Sequence, residues 1–327
     1  MKAIVNTARD QLTMLDLLAC PSCEGSLADN WSCRACGARY DAGDGIPNLR
    51  VAGDARTDAV RRFYEAAPFP GYPPRDSIEW LRARAGRSEF ARLLDRAIPG
   101  DARILDLGCG TGQMSLYLAR AERVVVGADL TRPSLQLGAA AAQRFGLSGV
   151  QFVETDLQRP GLRRSSFDVV YSSGVLHHTP DPRASFARLA RLVRPGGMIV
   201  LGLYNAFARI PLRIRRFFGL TAFDPVLRDR NSEPARREAW LRDQYQHPEE
   251  HRHTLAEVQR WFAENGIEYV RSYPSALLGE DDSGELFDRA PDNWRAEGWL
   301  AQLGWMRALG HEGGLFVTIG RALESGG

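Results

Sequence analysis

The run Leu105-Asp106-Leu107-Gly108-Cys109-Gly110-Thr111-Gly112 constrains this chain more than any other stretch of its 327 residues. An apolar strand, Arg103–Leu107, carries an acid, Asp106, near its end. Three glycines then alternate with other residues, and Gln113 opens a helical pattern. Glycines in such a turn let the backbone fold back tightly, and a ligand can lie against it with no Cβ in the way. Strand, tight turn and helix in this order begin a βαβ unit.

The chain repeats that unit. Short apolar runs recur at Arg103–Leu107, Val124–Ala128, Val150–Val153, Phe167–Tyr171 and Met198–Leu203, as expected of strands buried on both faces. Helical periodicity fits Gly112–Ala121, Pro133–Phe145 and Arg183–Val193, and Pro195-Gly196-Gly197 breaks the chain before the fifth run. The alternation predicts an α/β chain with a doubly wound, Rossmann-like parallel sheet. Thr254 with Glu257 reads as a capping box, and Asn265-Gly266 closes that helix. Ile267–Ser272 and Leu315–Ala322 read as two final strands. Helices about Ala59–Ala67 and Ser77–Ile98 flank a proline-rich turn, Pro68–Pro74, ahead of the sheet. The expected organisation is a small unit at 1–50, a helical lid or linker at 51–100, and the sheet domain at 101–327 with a helical cap inserted at about 205–252.

A formal net charge of +2 provides no global field to recruit nucleic acid or membrane. No stretch approaches the roughly 18 apolar residues of a membrane span, and no secretory leader is apparent, so the expected location is the cytoplasm. Four of the five cysteines fall as Cys20-x2-Cys23 and Cys33-x2-Cys36. Two such knuckles bring four thiolates around a tetrahedral Zn²⁺, and four Cys leave no open position, so that zinc is structural. The surrounding residues, Pro21, Ser22, Gly37, Tyr40 and Asp44-Gly45-Ile46-Pro47, resemble the Trm112-like zinc-ribbon family. Members of that family are activating partners of methyltransferases, which implies such a module fused here in cis.

The glycine run resembles motif I of class I S-adenosylmethionine-dependent methyltransferases. The nicotinamide fingerprint would place a third glycine where this chain has Gln113. The resemblance implies a seven-stranded methyltransferase sheet whose last two strands pair antiparallel. It also implies a set of donor-binding residues. Asp106, Gly108 and Gly110 would hold the amino acid end of the donor, with Cys109 and Gly112 completing the turn. Asp129, followed by Leu130, matches the ribose-binding acid. Asp156 matches the acid that bonds the adenine amino group, and Leu157 would offer its N–H to the ring. Tyr64 and Tyr72 would line a cover over the donor. The loop Ser172-Ser173-Gly174-Val175-Leu176-His177-His178 would face the sulfonium and the methyl acceptor.

Two readings of His177 and His178 stand open: general base for an oxygen or nitrogen nucleophile, or packing of the loop with bonds to a backbone carbonyl. The insert opens with Arg209, Ile210, Leu212, Arg213, Ile214, Arg215, Arg216, Phe217 and Phe218. This reads as a helix with a solvated basic face, the other option being a stretch that lies on a membrane. His247, His251 and His253 cluster with Glu249 and Glu250, which permits a second metal site but lacks regular spacing. Trp294, Trp299 and Trp305 read as core or subunit contact. The expected function is methyl transfer from S-adenosylmethionine to a small-molecule acceptor at O or N. A base methyltransferase of rRNA or tRNA, gripping RNA through the zinc module with Arg34 and Arg39, is the second reading. A non-catalytic donor-binding regulator is the third.

Overall fold

The computed structural model describes residues 14–51, 53, 55–66, 68, 70–229, 234–247, 249–278, 284–291, 295–309 and 313–324. Its spine is one sheet of eight strands: β1 (Asn48–Leu49), β2 (Arg103–Leu107), β3 (Val124–Asp129), β4 (Val150–Thr155), β5 (Phe167–Ser173), β6 (Val193–Tyr204), β7 (Ile267–Tyr273) and β8 (Leu315–Ala322). Their spatial order is β1-β4-β3-β2-β5-β6-β8-β7. The strands from β1 to β6 pair in parallel, and β8 runs antiparallel to both β6 and β7.

Helices α1 (Ala55–Glu65), α2 (Ile78–Ala85) and α3 (Glu89–Ala97) precede the sheet domain. Helices α4 (Gln113–Leu118), α5 (Arg132–Arg144) and α6 (Pro182–Ala190) lie on connections between parallel strands. The insert holds α7 (Ile210–Phe217), α8 (Pro225–Arg228) and α9 (Pro234–Leu241), which runs into a π-helical turn at Arg242–Gln246. Helix α10 (Leu255–Glu264) leads into β7, and α11 (Arg295–Ala308) lies between β7 and β8.

Successive strand residues point to opposite faces of a sheet, and the core divides accordingly. Ile104, Val125, Phe152, Val169 and Val200 pack with Leu94, Leu116 and Leu135. Their neighbours Leu105, Val126, Val153, Val170 and Ile199 pack with Phe186, Trp261 and Phe262 on the other face. Leu17, Leu18, Leu27 and Leu49 join this second core, so the N-terminal unit shares apolar packing with the sheet domain.

Several expectations change in detail. The expected sheet of seven gains an eighth strand, because Asn48 and Leu49 pair with Glu154 and Thr155 at its edge. The helix expected over Ser77–Ile98 is two helices. Ser77 and Ser88 each cap a separate N-terminus, accepting from Trp80 N and Ala91 N, and Gly86 ends the first. The first helix starts at Ala55 instead of Ala59. Pro195-Gly196-Gly197 does not precede β6 but lies within it as a register shift between Phe167↔Val193 and Val169↔Met198, with Gly196 at φ 71°. Trp305 packs on Phe316, Trp299 meets Phe207 edge-on, and Trp294 lies outside the described residues.

The amphipathic stretch of the insert follows the sequence reading in part: Arg213 and Arg216 are exposed and Leu212 is buried, but Arg209, Ile214, Phe217 and Phe218 depart from it. Arg209 is fully buried, with its guanidinium 3.8 Å from the centroid of the Tyr204 ring. Ile214, Phe217 and Phe218 instead face solvent. The cause is tertiary: Arg209 finds Glu250 at 2.6 Å and the Gly313 carbonyl at 2.7 Å, partners far away in the chain.

Candidate active site

The C-terminal ends of β2, β3, β4 and β5 open on one cavity of about 640 Å³. In parallel α/β sheets this is the end at which ligands bind. Gly108, Gly110, Asp129, Leu130, Asp156, Leu157, Gly174 and His178 all line it. Gly108, Gly110 and Gly112 have φ of 77°, 54° and 79°, the left-handed region that glycine enters without cost. A Cβ at Gly110 would meet nothing within 4 Å, so that position presents bare backbone to the cavity. At Gly108 and Gly112 a Cβ would run into Val175 and Phe152 respectively.

Asp129 buttresses this loop. One carboxylate oxygen accepts from Gly110 N at 2.8 Å, and the other accepts from Thr131 N and Thr131 Oγ1 at 2.8 and 2.7 Å. Burial raises its pKa, opposed by these bonds. Asp156 accepts from Gln158 N at 2.8 Å, which turns the chain after β4 and leaves the residue on the cavity wall.

Other expected donor residues sit behind this surface. Asp106 is buried, accepts from Ser115 Oγ at 2.6 Å, and does not line the cavity. Burial pushes its pKa up to about 7. Cys109 and Gly112 shape the turn from outside the cavity lining, and burial holds the Cys109 thiol well above its usual range, in its neutral form. Ser173 ends β5 off the lining. Tyr72 donates to the Thr111 carbonyl at 2.8 Å and so braces the glycine loop from outside.

The histidines of the loop after β5 separate. Leu176–His178 is one 3-10 turn that buries both rings. His177 stacks on Tyr204 with centroids 3.8 Å apart, its ring nitrogens without hydrogen-bond partners among the described residues. Burial and the neighbouring His178 and Arg209 drive its pKa well below the usual value, so the ring is neutral packing. His178 lines the cavity. Its Nδ1 lies 2.8 Å from the Glu249 carbonyl, which can only accept, so Nδ1 carries the hydrogen. In the neutral ring Nε2 is therefore the free base, 3.7 Å from Asp243 Oδ1. Burial lowers its pKa, and Asp243 and the Glu249 carbonyl act against that shift.

Asp243 is the residue that sequence reasoning missed. It lies in the π-helical turn after α9 and on the cavity wall. It accepts from Tyr64 OH and from Tyr204 OH, each at 3.0 Å, and from Gln244 Nε2 at 2.6 Å. Tyr64 reaches the cavity from α1, with Thr57, Val60 and Phe63 beside it. Burial raises the Tyr64 pKa strongly, which keeps the phenol a hydrogen-bond donor. His247 lies against His178 with ring centroids 3.6 Å apart, and burial lowers its pKa to about 4. His251 and His253 bond Glu249 and Glu257, each at 3.1 Å, so the three histidines brace the insert.

Away from the cavity, the Sγ atoms of Cys20, Cys23, Cys33 and Cys36 lie within 4.8 Å of one another. Cys20 and Cys36 are 3.7 Å apart at sulfur, and Cys23 and Cys33 3.5 Å. Thiolates about 2.3 Å from a tetrahedral Zn²⁺ would sit roughly 3.8 Å apart, so the four sulfurs fit that ion. Tyr40 OH lies 2.8 Å from Cys20 Sγ, the kind of outer partner that orients a metal ligand.

Several known proteins are similar to this chain. Residues 105–201 match the family described as "Methyltransferase domain". An uncharacterized protein of Synechococcus sp. is 28% identical over 70% of this chain and 64% of its own length. A ubiquinone biosynthesis O-methyltransferase of Paracidovorax citrulli is 34% identical over 33% of this chain and 45% of its own length. The chain thus spans less than two thirds of either relative. Magnesium protoporphyrin IX methyltransferase from Synechocystis with bound S-adenosylmethionine is similar at 16% identity and TM-score 0.46, covering 83% of this chain and 99% of that one. Residues 105–201 thus carry a methyltransferase domain.

Proposed function

We propose that this chain transfers a methyl group from S-adenosylmethionine to a small-molecule acceptor, at oxygen or nitrogen. One observation carries the proposal: a single cavity is lined by the strand-end acids Asp129 and Asp156 and also by His178 and Asp243. Bound S-adenosylmethionine supplies an electrophilic methyl on a sulfonium. Asp129 keeps one acceptor position, on the oxygen that bonds Gly110, for a ribose hydroxyl, since Thr131 fills the other oxygen, and Asp156 with Leu157 would meet an adenine edge. The bare backbone at Gly108 and Gly110 suits the amino acid end, with Asp106 setting the loop from behind.

On the acceptor side, His178 Nε2 takes the proton from the attacking oxygen or nitrogen. Nδ1 stays bound to the Glu249 carbonyl and holds the tautomer. Asp243 stabilises the imidazolium so formed and keeps Tyr64 aimed across the cavity. Helix α1 and the insert supply the walls that exclude water. The ubiquinone O-methyltransferase relative supports an oxygen acceptor. The four cysteines, by the same proposal, hold a structural Zn²⁺ that stabilises the N-terminal unit.

The test is transfer of labelled methyl from S-adenosylmethionine into a lysate of a deletion strain, followed by separation of small molecules, RNA and protein. The expected label is in the small-molecule fraction. Label in RNA would overturn the proposal in favour of nucleic-acid methylation. Absence of label in every fraction, with donor binding intact, would overturn it in favour of a donor-binding regulator.

A further inference from the structure

The insert carries a surface that methyl transfer does not use. Ile214, Phe217, Phe218, Leu220 and Phe223 stand out from α7 and the 3-10 turn after it, with Phe217 84% and Phe218 65% exposed. Exposed Arg213 and Arg216 lie on the same helix, and Arg228 follows on α8. Arg216 is partly offset by Glu250 at 3.5 Å. Of the acids nearest in sequence, Asp224 is fully buried and bonded inward to Trp240 Nε1 and Tyr245 OH, and Asp229 beside Arg228 is exposed. Consecutive large apolar side chains rimmed by guanidinium groups on a protruding helix are unusual on a water-facing surface.

We propose that this patch docks the protein on the surface of a bilayer that carries anionic headgroups. Phe217, Phe218 and Phe223 would enter the boundary between headgroups and acyl chains. Arg213, Arg216 and Arg228 would meet the lipid charge. Charge complementarity selects this occupant. A second copy of the chain, docked face to face, would bring the same arginines against one another. The helix lies on the bilayer and does not enter it as a span, since α7 has eight residues and no described helix is long and apolar enough to cross. Asp224 joins the patch to the cavity: it caps α8 and bonds Trp240, which lines the cavity. Docking would therefore place a largely apolar cavity near the lipid phase.

The test is co-sedimentation of the full chain with vesicles of phosphatidylcholine alone and of equal parts phosphatidylcholine and phosphatidylglycerol, at low and high salt. The chain is expected to pellet with the anionic vesicles and to be released by salt. F217S/F218S is expected to lower that partition at least about tenfold through lost apolar insertion. R213E is expected to lower it about fivefold or more. S-adenosylmethionine affinity should stay at the wild-type value in both, which shows that the variants are folded. Equal partition of wild type and F217S/F218S would overturn the proposal, as would failure of the wild type to prefer anionic vesicles. A self-association abolished by F217S/F218S, without vesicle binding, would assign the patch to a second copy instead.

Discussion

His177 and His178 are neighbours in the chain with different fates. His177 is packing: neutral, stacked on Tyr204, its ring nitrogens with no polar partner among the described residues. His178 is oriented by the Glu249 carbonyl and opens on the cavity. His178→Ala should therefore lower kcat at least about 100-fold, the scale of a lost general base, with donor affinity unchanged. His177→Phe should leave kcat within a few-fold; an equal loss in both variants would remove the distinction. The pH dependence has a definite sign. The pKa of His178 lies below its ordinary 6.5, so its base form is present throughout the neutral range. At saturating donor, kcat should be level through the neutral range and fall only at acidic pH, as the ring protonates. A rate that climbs above pH 7.5 would exclude this base. Gly108→Ala tests the loop. A Cβ there collides with Val175 and the residue sits at φ 77°, so the variant should lose about 1–3 kcal/mol in chemical denaturation and weaken donor binding. The strand-end positions of Asp129 and Asp156 were legible in the sequence because a βαβ pattern marks where a strand ends. Asp243 was not, because its role depends on Tyr64 and Tyr204, which are 179 and 39 residues away in sequence.

At the scale of elements, periodicity located what local physics dictates. The run Arg103–Leu107 and the final strand Leu315–Ala322 have the bounds that their apolar pattern predicts. Thr254 caps α10 as expected, accepting from Glu257 N at 3.3 Å. The insert resisted that reading because its partners are distant. Arg209 belongs inside only because Glu250, Tyr204 and Gly313 meet there, so a pattern that counts every arginine as solvent-facing misplaces the residue that starts α7. The same dependence makes Asp224 a test of the insert. It accepts from Val226 N and Leu227 N at the start of α8 and binds Trp240 and Tyr245 while fully buried. Asp224→Ala should cost about 2–4 kcal/mol, through the lost cap and the donors left unpaired in the interior. Because Trp240 lines the cavity, acceptor KM should rise while the donor dissociation constant changes little. An unchanged KM in a destabilised variant would show that the insert only covers the cavity and does not shape it.

At the scale of the whole molecule, a sheet edge joins the N-terminal unit to the side of the cavity proposed to bind the donor. Asn48 and Leu49 pair with Glu154 and Thr155, the residues immediately before Asp156. Glu154, buried, is held by Arg50 and Arg132, each at 3.1 Å, and Arg132 reaches back to the carbonyls of Gly43 and Ile46. Gly53 lies beside Asp156, where an added Cβ would come to 3.4 Å from Oδ2. By the proposed zinc site, a unit this small would draw on its metal for folding energy, on the order of 10 kcal/mol or more for a thiolate zinc site. Its loss should therefore reach β4. Treatment with a strong chelator should release one zinc and expose four titratable thiols. Amide exchange should then accelerate across Val150–Thr155, and donor affinity should fall about tenfold, roughly 1.4 kcal/mol. Strands β7 and β8 lie at the opposite side of the sheet, and their exchange should not change. The other face of the sheet keeps a core that Leu17, Leu18, Leu27 and Leu49 do not enter, with Ile104, Val125, Val169 and Val200, so a cooperative unfolding transition should survive chelation. Exchange at β4 and donor affinity that are both indifferent to the chelator would make the four-cysteine unit an appendage; a change in both would make it part of the donor site's framework.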